Sequence, residues 1–207
     1  MKKSLAILFS LIGWFAVVAQ FVLMLENREN LLAESIIRFF SYFTILTNIL
    51  VATNFTIIAT STYDQISLKN RNYAVLTATT VYIFIVGLVY QLVLRQLWHP
   101  EGLQMIVDEL LHSVIPCLTI LFWFLYEDKK ALRYAHISKW MLYPLIYLVY
   151  ILIRGNFSHF YPYPFVNVDQ IGLPRVLVNA FVLLLVFLFT AFIFVFLGKV
   201  LSKRINK

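Results

Sequence analysis

LAILFSLIGWFAVVAQFVLML, running from Leu5 to Leu25, carries no charged residue, and at ~1.5 Å of rise per residue it can cross a hydrocarbon layer of about 30 Å as a helix. Its basic start, Met1-Lys2-Lys3, and the small pair Val18-Ala19 imitate a secretory leader. The apolar core of a leader runs ~7 to 15 residues, whereas this one continues through Gln20 to Met24, which predicts a retained span. Outward from it, comparable stretches follow at 37–60, 73–97, 105–126, 137–153 and 173–197, joined by short connections. With 61% hydrophobic residues, 13% charged residues and a mean hydropathy of +0.83, too little polar surface is left for a water-soluble globule of 207 residues. The sequence therefore predicts an all-α polytopic membrane protein, a single domain over 1–207 with six transmembrane helices.

Charge sets the expected orientation, because cationic flanks are retained on the cytoplasmic side during insertion. With both termini cytoplasmic, Lys2, Lys3, Lys69, Arg71, Lys129, Lys130, Arg133, Lys139, Lys199, Lys203, Arg204 and Lys207 lie inside, and only Arg28, Arg38, Arg95, Arg154 and Arg175 lie outside. The net charge of +7 then belongs to a rim that meets anionic headgroups, so the expected partners are membrane lipids and not nucleic acid. The expected location is the cell membrane, as a multi-pass protein. Cys117, the single cysteine, reads as a small apolar filler with no metal-ligand spacing around it. A redox or metal centre needs facing ligands, and only His112 sits well inside a span, so neither a metal nor a cofactor is expected. A retinal Schiff base is disfavoured too, because no lysine lies within a span.

Polar residues inside the spans are the informative ones, since an unpaired polar group in hydrocarbon costs several kcal/mol and must face a partner or a cavity. In the second stretch, Ser41, Thr44 and Asn48 are spaced three and four apart, one face of a continuous helix beginning near Arg38, with Tyr42 beside them. In the fourth, Asp108 and Glu109 precede His112 by four and three, so either carboxylate can orient the imidazole. Thr44 and His112 each fall about seven residues below the outer end of their stretch, a common depth of ~10 Å. A hydroxyl, an imidazole and a carboxylate are the parts of a nucleophile, its base and the base's orienter, with Asn48 a candidate donor to the oxyanion. The plainer alternative is a buried histidine satisfied by a backbone carbonyl or a tyrosine. Farther along, Tyr143, Tyr147, Tyr150 and Arg154 recur on one face, and a stiff aromatic loop, Gly155 to Phe165, can fold back as a lid. Arg175 and Asn179, one turn apart, open the last stretch.

These residues carry a resemblance over nearly the whole chain. Arg38 to Asn48 with its Tyr-Phe-Thr core, His112 with Pro116 and Trp123, Tyr143-Pro144 with Tyr147, Tyr150 and Arg154-Gly155, Tyr161 to Phe165, and Arg175 with Asn179 resemble the bacterial six-span Pr6Pr family. More remotely, the layout is similar to the androgen-induced and androgen-dependent membrane hydrolases of animals, which cleave fatty acid esters of hydroxy fatty acids with a threonine and a histidine. That resemblance implies Thr44 as nucleophile and His112 as base, with Asn48, Asp108 and Glu109 in support. Pro116 follows His112 by four residues, where the animal proteins have five. The expected activity is hydrolysis of a lipid ester of the fatty-acyl class near the outer leaflet. Tyr42, Tyr147, Tyr150, Arg154, Arg175 and Asn179 would contact a lipid or fatty-acid-like substrate, an arginine such as Arg154 holding its free carboxylate. An amphiphile-binding or transport protein using the same pocket is the alternative.

Overall fold

The computed structural model describes residues 1–61 and 74–205; the Tyr73 start of the third expected span and the basic residues Lys69, Arg71 and Lys207 lie outside the described residues, as does the side chain of Arg204. Among the described residues every regular element is helical, and six helices are long and apolar enough to cross a membrane. Four belong to one compact unit, Met1–Ala131, and two to another, Leu132–Lys207.

In the first unit, α1 (Lys2–Glu26) is followed by the short α2 (Leu32–Phe39), then α3 (Phe43–Thr60), α4 (Val75–Leu94) and α5 (Gly102–Tyr126). Lipid offers no hydrophobic drive for helix association, so the contacts depend on close approach and polar ties. Gly13 on α1 supplies the approach: a Cβ there would lie 3.0 Å from the Cβ of Ala52 on α3. One turn away, Thr56 donates to the Ala52 carbonyl, and its oxygen meets Ser10 Oγ at 2.7 Å and accepts from Trp14 Nε1 at 3.1 Å. Phe9, Phe55 and Phe122, from α1, α3 and α5, pack edge to face with centroids 5.0 to 6.0 Å apart and fill the unit's interior.

The second stretch departs from the expected continuous helix. It ends at Phe39 and restarts at Phe43, with Tyr42 extended at φ −81° and ψ 123°. The cause is local. Ser41 Oγ donates to the Ile37 carbonyl at 2.7 Å, the acceptor an α-helix reserves for the Ser41 N–H, which turns to Arg38 instead. Ser41 therefore leaves the shared face, while Thr44 and Asn48 stay on α3, with Thr44 in its first turn.

The second unit holds α6 (His136–Ser158), α7 (Val168–Ile171) and α8 (Leu173–Ile205). Pro144 cannot donate to the Trp140 carbonyl, and α6 is interrupted at Met141. The helix then runs past Arg154, its expected end, to Ser158. There the aromatic loop does fold back on its own helix. A Cβ at Gly155 would lie 2.1 Å from the Tyr161 ring, so only glycine lets that ring lie against the backbone.

Candidate functional site

Two π-turns frame the candidate site. One covers Tyr90–Leu94 at the end of α4, and the other covers Leu110–Val114 inside α5, closed by Ile115 N–H donating to Leu110 O. The second has a sequence cause: Pro116 has no N–H for the His112 carbonyl and its ring crowds that oxygen, so the helix widens by one residue. Gly87 on α4 accommodates the displaced carbonyl, since a Cβ there would lie 3.1 Å from His112 O and 3.3 Å from Pro116 Cβ. The π-turns bring Tyr90 and His112 face to face, with ring centroids 4.2 Å apart and planes 14° from parallel.

The imidazole is fixed along its edge as well as across its face. His112 Nδ1 lies 2.9 Å from the Asp108 carbonyl oxygen and 3.2 Å from Asp108 Oδ1. Both are acceptors, so Nδ1 carries the hydrogen and the neutral ring keeps its Nε2 lone pair as a base. Asp108 is 6% exposed. Of the two candidate orienters, the contact therefore falls to Asp108. Glu109 is engaged elsewhere, in a closed ring with α4: Arg95 donates to Glu109 and to Gln91, Gln91 to Ser113, and Ser113 to Glu109. The plainer partners of a buried histidine, a backbone carbonyl and a tyrosine, are thus present together with the carboxylate.

Asn48 joins α3 to this centre. Fully buried, it donates through Nδ2 to Thr44 O at 2.9 Å and to Leu111 O at 3.2 Å. Both amide hydrogens are thereby committed, which leaves Asn48 a bridge and not a spare oxyanion donor. Two carbonyl oxygens sharing one nitrogen are within about 6 Å of each other, so the Thr44 backbone lies close to the residue preceding His112. The hydrogen bonds described for the His112 ring run to Asp108. Tyr42 caps α3 by position.

Tyr147, Tyr150, Arg154, Arg175 and Asn179 belong to the second unit. Tyr147 is buried, Tyr150 and Arg175 are exposed. Arg154 donates to Ser158 Oγ and to the Phe160 carbonyl and lies over the Phe160 ring, while Asn179 donates to the Phe165 carbonyl at 2.9 Å. Both tie the aromatic loop to its flanking helices. Tyr90 escaped the sequence reading, because a period of 3.6 gives no sign of a π-turn; the sign that existed was Pro116, four residues past His112. Among the described residues no group of three or more histidine, cysteine, aspartate or glutamate side chains is placed to hold a metal ion. The chain matches no protein-family model, no curated protein and no solved structure.

Proposed function

We propose that this multi-pass protein is a hydrolase of lipid esters in the cell membrane, with Thr44 as nucleophile, His112 as general base and Asp108 as the group that orients His112. The observation that carries the reading is the held imidazole: Nδ1–H directed at Asp108, a ring face against Tyr90, and an Asn48 bridge from Leu111 to the Thr44 backbone. The resemblance to the animal threonine hydrolases supports the same assignment of Thr44 and His112.

In this mechanism His112 Nε2 takes the Thr44 hydroxyl proton as Oγ attacks the ester carbonyl. The protonated ring returns that proton to the departing alcohol, leaving an acyl-threonine, and water activated by the same nitrogen then releases the fatty acid. Asp108 stabilises the imidazolium that forms in each half. Thr44 in the first turn of α3 stands at the positive end of that helix's dipole, which favours charge developing at the attacked oxygen.

The test is hydrolysis of a long-chain fatty-acyl ester by purified protein in nanodiscs. Loss of turnover in both Thr44→Ala and His112→Ala is expected, and turnover retained by both variants sinks the reading. No turnover in the parent protein, with saturable stabilisation by fatty acid that survives Thr44→Ala, favours amphiphile binding or transport.

A further inference from the structure

At the other end of α5 lies a second buried carboxyl that the proposed chemistry does not use. Glu127 follows the last residue of the helix, yet its side chain turns inward and the residue is only 6% exposed. Its neighbours fix the role of each oxygen. Trp123 Nε1 donates to Thr77 Oγ1 at 2.9 Å, and the Thr77 hydroxyl donates to Glu127 Oε1, also at 2.9 Å. Oε1 is thereby engaged by Thr77, and Oε2 is the oxygen left open to a proton. Oε2 has no hydrogen-bond partner among the described residues, and neither does the buried hydroxyl of the adjacent Tyr126.

Among the described residues, the nearby cations do not neutralise this carboxyl by direct contact. Lys129 Nζ donates to the Phe124 carbonyl at 2.8 Å and approaches those of Trp123 and Glu127, capping the end of α5, and it sits 5.3 Å from the centre of the Trp123 ring. Lys2, from α1, reaches the Tyr126 carbonyl at 3.5 Å. Among the described residues, Lys129, Lys2 and Asp128 are the charged groups acting on Glu127; α4 presents Thr77, and α3 has no ionisable side chain. Burial outweighs the pull of Thr77 and both lysines and pushes the carboxyl from its ordinary 4.5 up to about 7. Burial also lowers the Lys129 ammonium from its ordinary 10.5, against the influence of Glu127 and Asp128.

We propose that Glu127 Oε2 is a proton-binding site at the end of the first unit marked by Lys2 and Lys129, the end read as cytoplasmic, and that its proton decides how α5 is tied to α4. A proton is the ligand that an orphaned, buried carboxylate oxygen can take without a cavity. With the proton on, the Thr77 link holds α4 to the end of α5 and Lys129 stays on the helix carbonyls. With the proton off, a buried negative charge draws Lys129 from those carbonyls, and the end of α5 loses its cap. The same two helices carry Tyr90 and His112 farther along, so the site reads pH through elements that frame the imidazole. The proposal stands whether or not the protein hydrolyses esters.

The sign of the stability effect follows from the raised value. Between pH 4.5 and about 7 the folded chain holds a proton that the unfolded chain has released, so stability falls as pH rises through that window and is lowest above it. Infrared difference spectra of the full chain in nanodiscs, recorded from pH 5 to 9, test the proposal directly. The expected result is a protonated-carboxyl band that disappears with a midpoint near pH 7 and is missing from Glu127→Gln, together with a pH-stability slope that this variant flattens. Glutamine has the shape and neutrality of the protonated acid, so a Glu127→Gln protein that fails to fold overturns the proposal. The same follows if the band and slope are unchanged in Glu127→Gln, or if Glu127 is already ionised at pH 5.

Discussion

Asp108 and Glu127 are both buried carboxyls, one a turn and a half into α5 and the other just past its last residue, and the chain treats them in opposite ways. Asp108 faces an imidazole that can become a cation, so charge on one is answered by charge on the other. Glu127 faces a neutral hydroxyl, and the ammonium groups described beside it, Lys129 and Lys2, are engaged by helix carbonyls, so it is answered by a proton. The difference teaches that burial alone does not assign a role. A buried acid beside a titratable base is suited to moving a proton during a reaction, while a buried acid with no such base in contact is suited to storing one.

The largest expected effect of breaking this contrast is on turnover. Asp108→Asn deprives the His112 Nδ1–H of its carboxylate and should lower ester hydrolysis by about 10³- to 10⁴-fold, by analogy with triads in which the orienting acid is made an amide. Glu127→Gln should leave hydrolysis at pH 6 within about twofold, since the parent carboxyl is already neutral there. Rates measured side by side in nanodiscs check both. Next in size is the pH dependence of unfolding. The parent protein should lose up to about 3 kcal/mol of stability between pH 4.5 and 7, and Glu127→Gln should lose little of it. Denaturant titration at a series of pH values reads the difference.

Smaller effects sharpen the two ends separately. Thr77→Val leaves Glu127 Oε1 and the Trp123 indole without their shared hydroxyl, which should cost about 1 to 3 kcal/mol at pH 6 and move the Glu127 midpoint upward. Gly87→Ala puts a methyl 3.1 Å from the His112 carbonyl, so α4 and α5 must part by a few tenths of an ångström. Its stability cost should be about 1 kcal/mol. Turnover should drop further than that cost explains, because the displacement acts on the helix that stacks Tyr90 against His112.

Much of the fold was legible in the sequence because apolar length is the membrane's main requirement, and each of the six stretches has its helix. Interruptions within them were legible only where proline marked them. Pro144 stands three residues after the break at Met141 and Pro116 two residues after the widened turn Leu110–Val114, whereas the break at Ser41 arises from a side-chain hydrogen bond competing with the backbone, which composition does not reveal. The candidate site was legible by residue type but not by pairing. Asp108 and Glu109 are both within one turn of His112, and it took the widened turn and the position of Arg95 to give His112 to one and Arg95 to the other. Glu127 was hidden for a different reason. It begins the run Glu127-Asp128-Lys129-Lys130, which reads as a solvated connection, and only tertiary packing turns its side chain inward against Thr77.

The central claim is that Thr44 is a nucleophile activated by the held imidazole, and the most direct measurement is the position of a covalent adduct. Purified protein treated with a fluorophosphonate bearing an alkyl chain should carry the phosphonyl group on the Thr44 peptide, and labelling should be lost in Thr44→Ala and strongly slowed in His112→Ala. An adduct mapped to another residue, or labelling of Thr44→Ala at the parent rate, would contradict the account.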